Sequence, residues 1–360
     1  MHRCVDGIRP YLARLTVVLV AIVATCAVHA QPLAETLPSV RIAVVGDMQR
    51  TGTIEFWRER NVDASERILA HVAAEQPAAL FLLGDMVWWG SSDVEWDRFD
   101  SVMRPVSAAN IPVHPILGNH EYLGDTARGM RNVRMRFPEM RHDADVHVID
   151  SIAFVLINTN VSAMTDSADR RLRQWFAYTL RRLDADPSVL FVVVCGHHPP
   201  FTNSRITRPN KKVQDRYLWH VQHAAKTAFW FAGHAHSYER FEVDGKQYIV
   251  AGGGGAPRQN VRLAREGARF VDQYDGPARR PLHYLMLERH GRELTCTMHP
   301  LRSAVADYAP DTATVSAASR ADRQSTDAIA NSAASMRETI FPLLITPGSP
   351  APGCVPAPVK

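Results

Sequence analysis

The chain has 360 residues, enough for one large domain or two ordinary ones. Its composition, 46% hydrophobic and 22% charged, is that of a globular protein and excludes a disordered or fibrous chain. The 41 basic and 37 acidic residues give a formal net charge of only +4, so no nucleic-acid-binding surface is evident.

Residues 1–30 are predicted to be a secretory signal peptide. Three arginines precede an apolar run at 16–28, and Ala30 ends the segment as a cleavage site. The competing interpretation is a membrane anchor, but the run is shorter than the roughly 18 residues that span a bilayer. Cleavage removes three Arg and one Asp, leaving 38 basic and 36 acidic residues and a net charge of +2. We therefore expect an exported protein, periplasmic or secreted, with no stable membrane span.

Residues 38–300 are predicted to form one αβ-layered domain. Continuous apolar runs, typical of strands buried on both faces, are VRIAVVGD, ALFLLGD, VHPILGNH, IAFVLINTN, VLFVVVCGHH and AFWFAGHAH. Helices are predicted at about 61–75, 94–109, 167–183 and 213–225. The apolar residues expected to share one face of the first helix are Val62, Ile68, Leu69 and Val72. Two later segments predict hairpins that turn at Asp244-Gly245 and His290-Gly291, so the sheets are mixed or doubled.

The last part of the chain, residues 301–360, is rich first in Ala and Ser and then in Pro, and it predicts a flexible C-terminal extension. An apolar segment at 340–345 could pack as a strand. Signal cleavage would leave three cysteines, too few for a disulfide scaffold. Cys195 is expected to be a core residue, whereas Cys296 and Cys354 could pair in an oxidising compartment.

Most of the apolar runs end in a polar cluster. The residues at these ends are Asp47, Asp85, Asn119, His120, Asn158, His197, His198, His234 and His236. In open α/β sheets, ligands bind beyond the carboxyl ends of the strands, where loops share one crevice. One such motif is weak support for a site, but several that supply oxygen and nitrogen donors together predict a shared metal centre.

The motif order GD, GD, GNHE, GHH and GHAH resembles the signature of the calcineurin-like metallophosphoesterase superfamily. The segments GHAHSYER and YIVAGGGGAP are similar to its purple acid phosphatase branch. The resemblance runs from about residue 40 to 287. It implies an α/β (α+β) fold of two packed mixed β-sheets flanked by helices. It also implies two divalent or trivalent transition-metal ions, with Fe, Mn and Zn as candidates.

The resemblance implies a role for each motif residue. Asp47 and His236 would hold the first metal, Asp85 would bridge both, and Asn119, His197 and His234 would hold the second. His120 would donate a proton to the leaving alkoxide, and Glu121 would orient the loop or the imidazole. The implied reaction is attack of a metal-bridging hydroxide on the phosphorus of a small phosphorylated substrate, with phosphomonoesters favoured.

Two positions depart from the family pattern. Gln49 stands where Gly-Asp-x-His would place a histidine ligand, and Trp88 stands where the purple branch has a tyrosine. Without the tyrosinate we expect a colourless protein. Gln49 could coordinate the first metal through its amide oxygen or only hydrogen-bond to the ligands.

Substrate contacts are less strongly indicated. Arg205 follows GHHPPF in a basic segment expected to overhang the site, and His198 could touch substrate. Trp88 and Trp89 could form a wall for a base or an aryl leaving group, or could simply pack. The alternatives to a phosphomonoesterase are a nucleotide or phosphodiester hydrolase and a catalytically weak metal- or phosphate-binding protein.

Overall fold

The computed structural model describes residues 40–52, 55–141, 143–302 and 308–317. The predicted signal peptide, the strand expected at 340–345 and Cys354 lie outside the described residues. The signal peptide and the pairing of Cys296 with Cys354 therefore stay predictions.

The first sheet has six strands in the order β12-β11-β10-β1-β2-β3. Its strands are β1 (Val40–Val45), β2 (Ala79–Leu82), β3 (Val113–Pro115), β10 (His283–His290), β11 (Glu293–Pro300) and β12 (Asp311–Ser316). Strands β1, β2 and β3 run parallel. On the other side of β1, β10 pairs antiparallel with β1, β11 with β10 and β12 with β11. The sheet is therefore mixed.

The second sheet also has six strands, in the order β4-β5-β6-β7-β9-β8. Its strands are β4 (Ala144–Ile149), β5 (Ile152–Ile157), β6 (Phe191–Gly196), β7 (Thr227–Ala232), β8 (Tyr238–Val243) and β9 (Lys246–Ala251). Strands β5, β6, β7 and β9 are parallel, and the outer strands β4 and β8 pair antiparallel. The hairpin between β8 and β9 turns at Asp244-Gly245 as predicted, with positive φ at both residues, as a type I′ turn requires.

The helices cover the outer faces of the sheets. They are α1 (Ala64–Glu75), α2 (Asp93–Val102), α3 (Arg104–Ala108), α4 (Thr126–Arg136), α5 (Asp166–Ala185), α6 (Lys211–Val213) and α7 (Trp219–His223). A π-helical segment, Gln214–Leu218, joins α6 to α7. Within the described ranges no helix has the length and apolarity needed to cross a membrane.

Three apolar layers explain why most strands are apolar on both sides. One core lies between the sheets, with Phe81 stacked on Phe154 at a centroid distance of 4.1 Å. A second lies between the first sheet and helices such as α1, and a third between the second sheet and α5. The predicted fold, two packed mixed β-sheets flanked by helices, is confirmed.

Some elements differ from the prediction. Strand β12 lies inside the stretch assigned to the C-terminal extension, so the sheet continues past residue 300. Helix α4 and strand β4 were not predicted, because arginines interrupt the apolar period of the former and the latter is only partly buried at an edge. Val62 precedes α1 and is 75% exposed, so it does not share the buried face of that helix.

Candidate metal centre

The first group of donors combines Asp47, Asp85 and His236. Asp47 follows β1, Asp85 follows β2, and His236 lies in the turn between β7 and β8. One donor atom from each lies within 4.8 Å of the other two, and all three side chains are buried. The carboxylate of Asp47 also accepts hydrogen bonds of 2.8 and 3.0 Å from the backbone N–H of His234, which connects β1 to the GHAH turn.

The second group combines His197, His198 and His234. Their donor atoms also lie within 4.8 Å of one another. Asn119 joins them, since its Oδ1 lies 3.2 Å from Nε2 of His197. Asp85 lies between the groups, because its Oδ2 is 3.3 Å from His197 Nε2. The loops of both sheets therefore bring every residue predicted as a ligand to one place, and they add His198.

The backbone at this place is strained. Asp47, Asp85 and His234 have φ angles of 59°, 51° and 66°, in the left-handed region that L-residues rarely occupy. Each such residue costs about 1–2 kcal/mol and persists only where the surrounding structure enforces it. Three such residues, each just after a different strand and each a predicted ligand, lie together here. Gln76, Asn110, Asp150 and Asp244 also have positive φ but lie outside the two donor groups.

Two glycines leave room for the carboxylates. A Cβ at Gly118 would lie 2.1 Å from Oδ1 of Asp85, and a Cβ at Gly233 would lie 2.3 Å from Oδ2 of Asp47. Any larger residue would displace a carboxylate. The glycines of the GNHE and GHAH motifs are therefore explained by close approach of the backbone to the acidic side chains.

Backbone carbonyls fix the orientation of the imidazoles. Nδ1 of His197 donates to the Leu83 carbonyl at 2.8 Å, and Nδ1 of His236 donates to the Pro257 carbonyl at 2.9 Å. Each ring therefore presents Nε2 to the centre. This is the usual arrangement of metal-binding histidines, in which the second nitrogen is held by a hydrogen bond.

The carboxyl groups and His197 shift one another's pKa values. Burial raises the pKa of the Asp47 carboxyl well above its usual range. Burial also opposes ionisation of Asp85, but the imidazoles of His197, His120 and His234 together outweigh it and hold that pKa below its usual range. The Asp85 carboxylate in turn overcomes the burial of His197 and raises its pKa to about 9. Without a metal, a proton on His197 neutralises the charge of Asp85. A bound cation would replace that proton.

The other imidazoles are ready to bind a metal. Burial lowers the pKa of His234 to about 3 and that of His236 to about 4, so both rings are neutral at neutral pH. Burial likewise lowers the pKa of His198 well below its usual range. Neutral imidazole nitrogens together with carboxylate and amide oxygens form a donor set that suits Fe, Mn or Zn.

Gln49 borders the first group. Its Nε2 lies 3.2 Å from Nε2 of His236 and 3.4 Å from Oδ2 of Asp85. Its Oε1 is buried and has no hydrogen-bond partner among the described residues. A half-turn of the amide would exchange the two atoms and point the oxygen at the same place. With the amide turned in this way, the oxygen of Gln49 could bind a cation beside Asp85 and His236.

His120 lies beside the ligands. Its Nδ1 donates to the Trp88 carbonyl at 2.7 Å, and its Nε2 lies 3.9 Å from Oδ2 of Asp85. The side chain is about one-fifth exposed, so Nε2 can reach a bound molecule. Trp88 cannot replace the tyrosine ligand of the purple branch, because an indole N–H is a donor only. Its Nε1 donates to Glu55 at 3.2 Å.

Glu121 orients the loops and not the imidazole. Its buried carboxylate accepts hydrogen bonds from the backbone N–H groups of Asp85, Met86 and Gly118 at 3.0, 2.8 and 2.7 Å. It therefore ties the turn after β2 to the turn after β3. The sequence left both roles open for Glu121.

The substrate contacts suggested by the sequence separate in the structure. His198 lies in the second group, where Thr159 Oγ1 bonds its Nδ1 at 2.9 Å. Arg205 is not among the clustered side chains, because its guanidinium pairs with Glu266 at 2.7 Å. Asn158 also ends a strand but bonds the Tyr122 hydroxyl at 2.8 Å instead of joining either group.

Some residues that position the centre were not found from the sequence. Thr159 holds His198, and Glu239 links β8 to the loop after His198 by accepting from Thr202 Oγ1 at 2.6 Å and from Asn203 N at 2.6 Å. Glu239 is fully buried, and burial raises its pKa to about 7. A threonine after a strand carries no motif. The glutamate of GHAHSYER lies within strand β8, and a charged residue in the motif was the signal that the sequence offered.

Comparisons with known proteins agree with this geometry. A family model described as calcineurin-like phosphoesterase matches residues 40–238. Probable purple acid phosphatase 20 of Arabidopsis thaliana is 25% identical over 234 residues, which cover 60% of this chain and 52% of that protein. Probable inactive purple acid phosphatase 9 of the same plant is 23% identical over 233 residues, covering 54% of this chain and 33% of that protein.

The alignment thus spans a third to about half the length of these two relatives. Among solved structures, a dimetal phosphatase from Danio rerio superposes with a TM-score of 0.52 at 14% identity. The superposition covers 78% of this chain and 99% of the fish protein, and it supports the fold. The family match covers more than half of the chain, so this protein belongs to the calcineurin-like phosphoesterase family, with purple acid phosphatases among its relatives.

Proposed function

We propose that the chain is a dinuclear-metal phosphoesterase that hydrolyses phosphomonoesters. The observation that carries the proposal is the convergence of two donor groups on the two sides of Asp85. A purely structural role would leave buried carboxylates and imidazoles at one place without a cation to satisfy them.

The first metal would be held by Asp47, His236 and the amide oxygen of Gln49. The second would be held by Asn119, His197 and His234. Asp85 would help to hold both ions, since its Oδ2 lies within 3.4 Å of both Gln49 and His197. His198 borders the second metal as an additional donor or as a contact to the phosphoryl group.

When bound, the two ions would supply charge stabilisation of phosphoryl oxygens and make water acidic enough to act as the nucleophile. The chain supplies the proton for the leaving group. Nδ1 of His120 is committed to the Trp88 carbonyl, which leaves Nε2 to carry that proton. His120 thus acts as the general acid, a role that typically contributes 10²–10⁴-fold in rate.

A catalytically weak binding protein is the second candidate. It is favoured by Gln49 and Trp88 standing in place of stronger ligands, and by an inactive relative. A nucleotide or phosphodiester hydrolase would use the same donor groups. In each case the partner is a small phosphorylated molecule, and the N-terminal segment would export the protein to the periplasm or the medium.

The test is metal analysis of the purified chain together with hydrolysis rates after loading with Fe, Mn or Zn. We expect about two ions per chain and turnover of a monoester faster than of a diester or a dinucleotide. The Asp85→Ala variant should lose both ions and all turnover, whereas Asp145→Ala, outside the centre, should keep them. Two bound ions without turnover would support the binding protein, and less than one ion per chain would refute the metal centre.

A further inference from the structure

A second concave surface lies outside the metal centre. It is a cleft of about 860 Å³, formed by the long segment that connects β9 to β10 and lined by residues between 262 and 280. Among the described residues, none of those that line the cleft belongs to either donor group of the metal centre. A cleft of this volume is large enough for a small organic ligand.

Arginine dominates the charge of this cleft. The charged residues that line it are Arg262, Arg265, Arg269, Arg280, Asp272 and Asp275, so positive charges exceed negative ones by two. We call this surface the arginine cleft. Arg262 and Arg265 are exposed, and in the part of the chain that the structure describes neither forms an ion pair or a side-chain hydrogen bond. Their charges are therefore not neutralised by a partner within the protein.

Arg280 is the buried arginine of the cleft, with only 1% of its surface exposed. Its Nη2 donates to Asp272 at 2.6 Å, and its guanidinium lies over the ring of Tyr274, 4.8 Å from the centroid. Its Nε and Nη1 are buried and have no hydrogen-bond partner among the described residues. Buried N–H groups are rarely left unpaired, because they lose their hydrogen bonds to water without a replacement. An acceptor is therefore missing beside Arg280.

Gly276 shows where that acceptor is missing. This glycine also lines the cleft, and a Cβ at its position would lie 2.6 Å from Nη1 of Arg280. The unpaired nitrogen therefore lies directly against the wall of the cleft, with no side chain of residue 276 between them.

The cleft is fixed to the loop that follows His198. Arg269 Nη1 donates to the Ser204 carbonyl at 2.9 Å, and Oδ1 of Asn203 accepts the backbone N–H groups of Arg269 and Phe270 at 2.8 and 3.0 Å. Hydrogen bonds from both the backbone and the side chain of Arg269 thus hold one wall of the cleft in place. A preformed wall lowers the entropy that a ligand loses on binding.

We propose that the arginine cleft binds a small organic molecule with two negative charges, a phosphomonoester or a dicarboxylate, at a site separate from the metal centre. Two negative charges would balance the excess of positive charge in the cleft. The planar guanidinium groups match phosphate and carboxylate oxygens through paired hydrogen bonds. Leu263 and Phe270 line the same cleft and would contact the organic part of the ligand. The inference does not depend on the proposed function, because no metal donor takes part.

The test is calorimetric titration of metal-free protein at low salt, with the chelator removed because it is itself an anion. The probes are butyl phosphate and adipate, which carry two charges at slightly alkaline pH, and pentanoate, which carries one. The variant is the double substitution Arg262→Gln and Arg265→Gln, at exposed positions without partners. The matched control is Arg170→Gln with Arg171→Gln, which removes the same charge from exposed positions of α5.

We expect the wild type to bind butyl phosphate, adipate or both, and to bind pentanoate at least tenfold more weakly. The double variant should lose about tenfold in affinity for the dianion, which corresponds to about 1.4 kcal/mol, and the control should change less than twofold. Binding of butyl phosphate alone identifies a phosphomonoester as the ligand, and binding of adipate alone identifies a dicarboxylate. The inference is wrong if neither dianion binds, if pentanoate binds equally well, or if the double variant and its control behave alike.

One further variant separates the arginine cleft from the metal centre. Asp85→Ala disrupts the centre and should keep the wild-type Kd for the dianion. A loss of binding in Asp85→Ala would place the anion in the metal centre and overturn the inference. Because these titrations need neither metal nor turnover, a protein that hydrolysed no ester would contradict the proposed function and leave this result unchanged.

Discussion

Replacement of Glu121 should both destabilise the fold and weaken metal binding. The carboxylate accepts three backbone N–H groups from the turns that carry Asp85 and Asn119. A buried donor that loses its acceptor costs about 1–3 kcal/mol, so Glu121→Ala should lower the free energy of unfolding by at least about 3 kcal/mol. Those turns would also lose their fixed relation to each other.

Glu121→Gln should cost less, for two reasons. An amide oxygen in the place of Oε2 keeps the bonds from Asp85 N and Gly118 N, and only the bond from Met86 N is lost. In addition, burial followed by the charge of Asp85 raises the pKa of Glu121, so removal of its charge offsets part of the loss. We expect about 1–2 kcal/mol of destabilisation.

The assay is urea unfolding of the metal-free protein followed by tryptophan fluorescence, with metal content measured on separate, metal-loaded samples of the same variants. Glu139, an exposed residue, provides the control, and Glu139→Ala should stay within about 0.5 kcal/mol of the wild type. A Glu121→Ala variant within 1 kcal/mol of the wild type, with full metal content, would show that the three N–H groups do not depend on this carboxylate.

Three further predictions concern single side chains. His120→Asn should keep its metals but lose about 10²–10⁴-fold in kcat on an alkyl phosphate. The loss on 4-nitrophenyl phosphate should be far smaller, because that leaving group needs no proton. Equal losses on the two substrates would contradict the acid role. In metal titrations, Gln49→Ala should bind the first metal more weakly than the wild type and Gln49→His should bind it more tightly. Unchanged titrations would show that Gln49 is not a ligand. Burial raises the pKa of Glu239 from an ordinary value of 4.5 to about 7, so its contribution to stability is complete below pH 4.5 and is lost as the pH rises through 7. The free energy of unfolding of Glu239→Gln relative to the wild type should therefore rise by about 3 kcal/mol between pH 4.5 and 7, and a pH-independent difference would contradict the raised pKa.

The sequence predicted the layered fold because buried parallel strands are continuous apolar runs, and each run ends where a ligand follows. Asp47, Asp85 and His197 could be placed for that reason. The way in which the two sheets pack could not be predicted from the apolar runs, because it depends on the contact between Phe81 and Phe154, which no local pattern encodes. The pairing of the edge strands also could not be predicted, because β4 and β12 are only partly buried and their alternation of apolar and polar residues is weak.

Within the centre, chemistry was easier to predict than geometry. Residue types in the motifs indicated metal ligands, but nothing in the sequence indicates that Glu121 bonds three backbone amides. The same limit applies to Arg205, which is predicted from its position after GHHPPF to contact phosphate and which pairs with Glu266 in the structure. A charged residue in a loop has several partners within reach, and only the folded chain selects one.

The left-handed backbone at Asp47, Asp85 and His234 has a consequence for protein engineering. Glycine occupies that region without the steric cost of about 1–2 kcal/mol that a Cβ brings. A library selected only for heat resistance, in medium stripped of transition metals, would therefore favour replacement of His234 most, because the carboxylates of Asp47 and Asp85 accept backbone hydrogen bonds from His234 and His120 that glycine would lose. The selected proteins would be hardier and unable to hold the ions, so any screen of this fold for thermostability has to keep metal present.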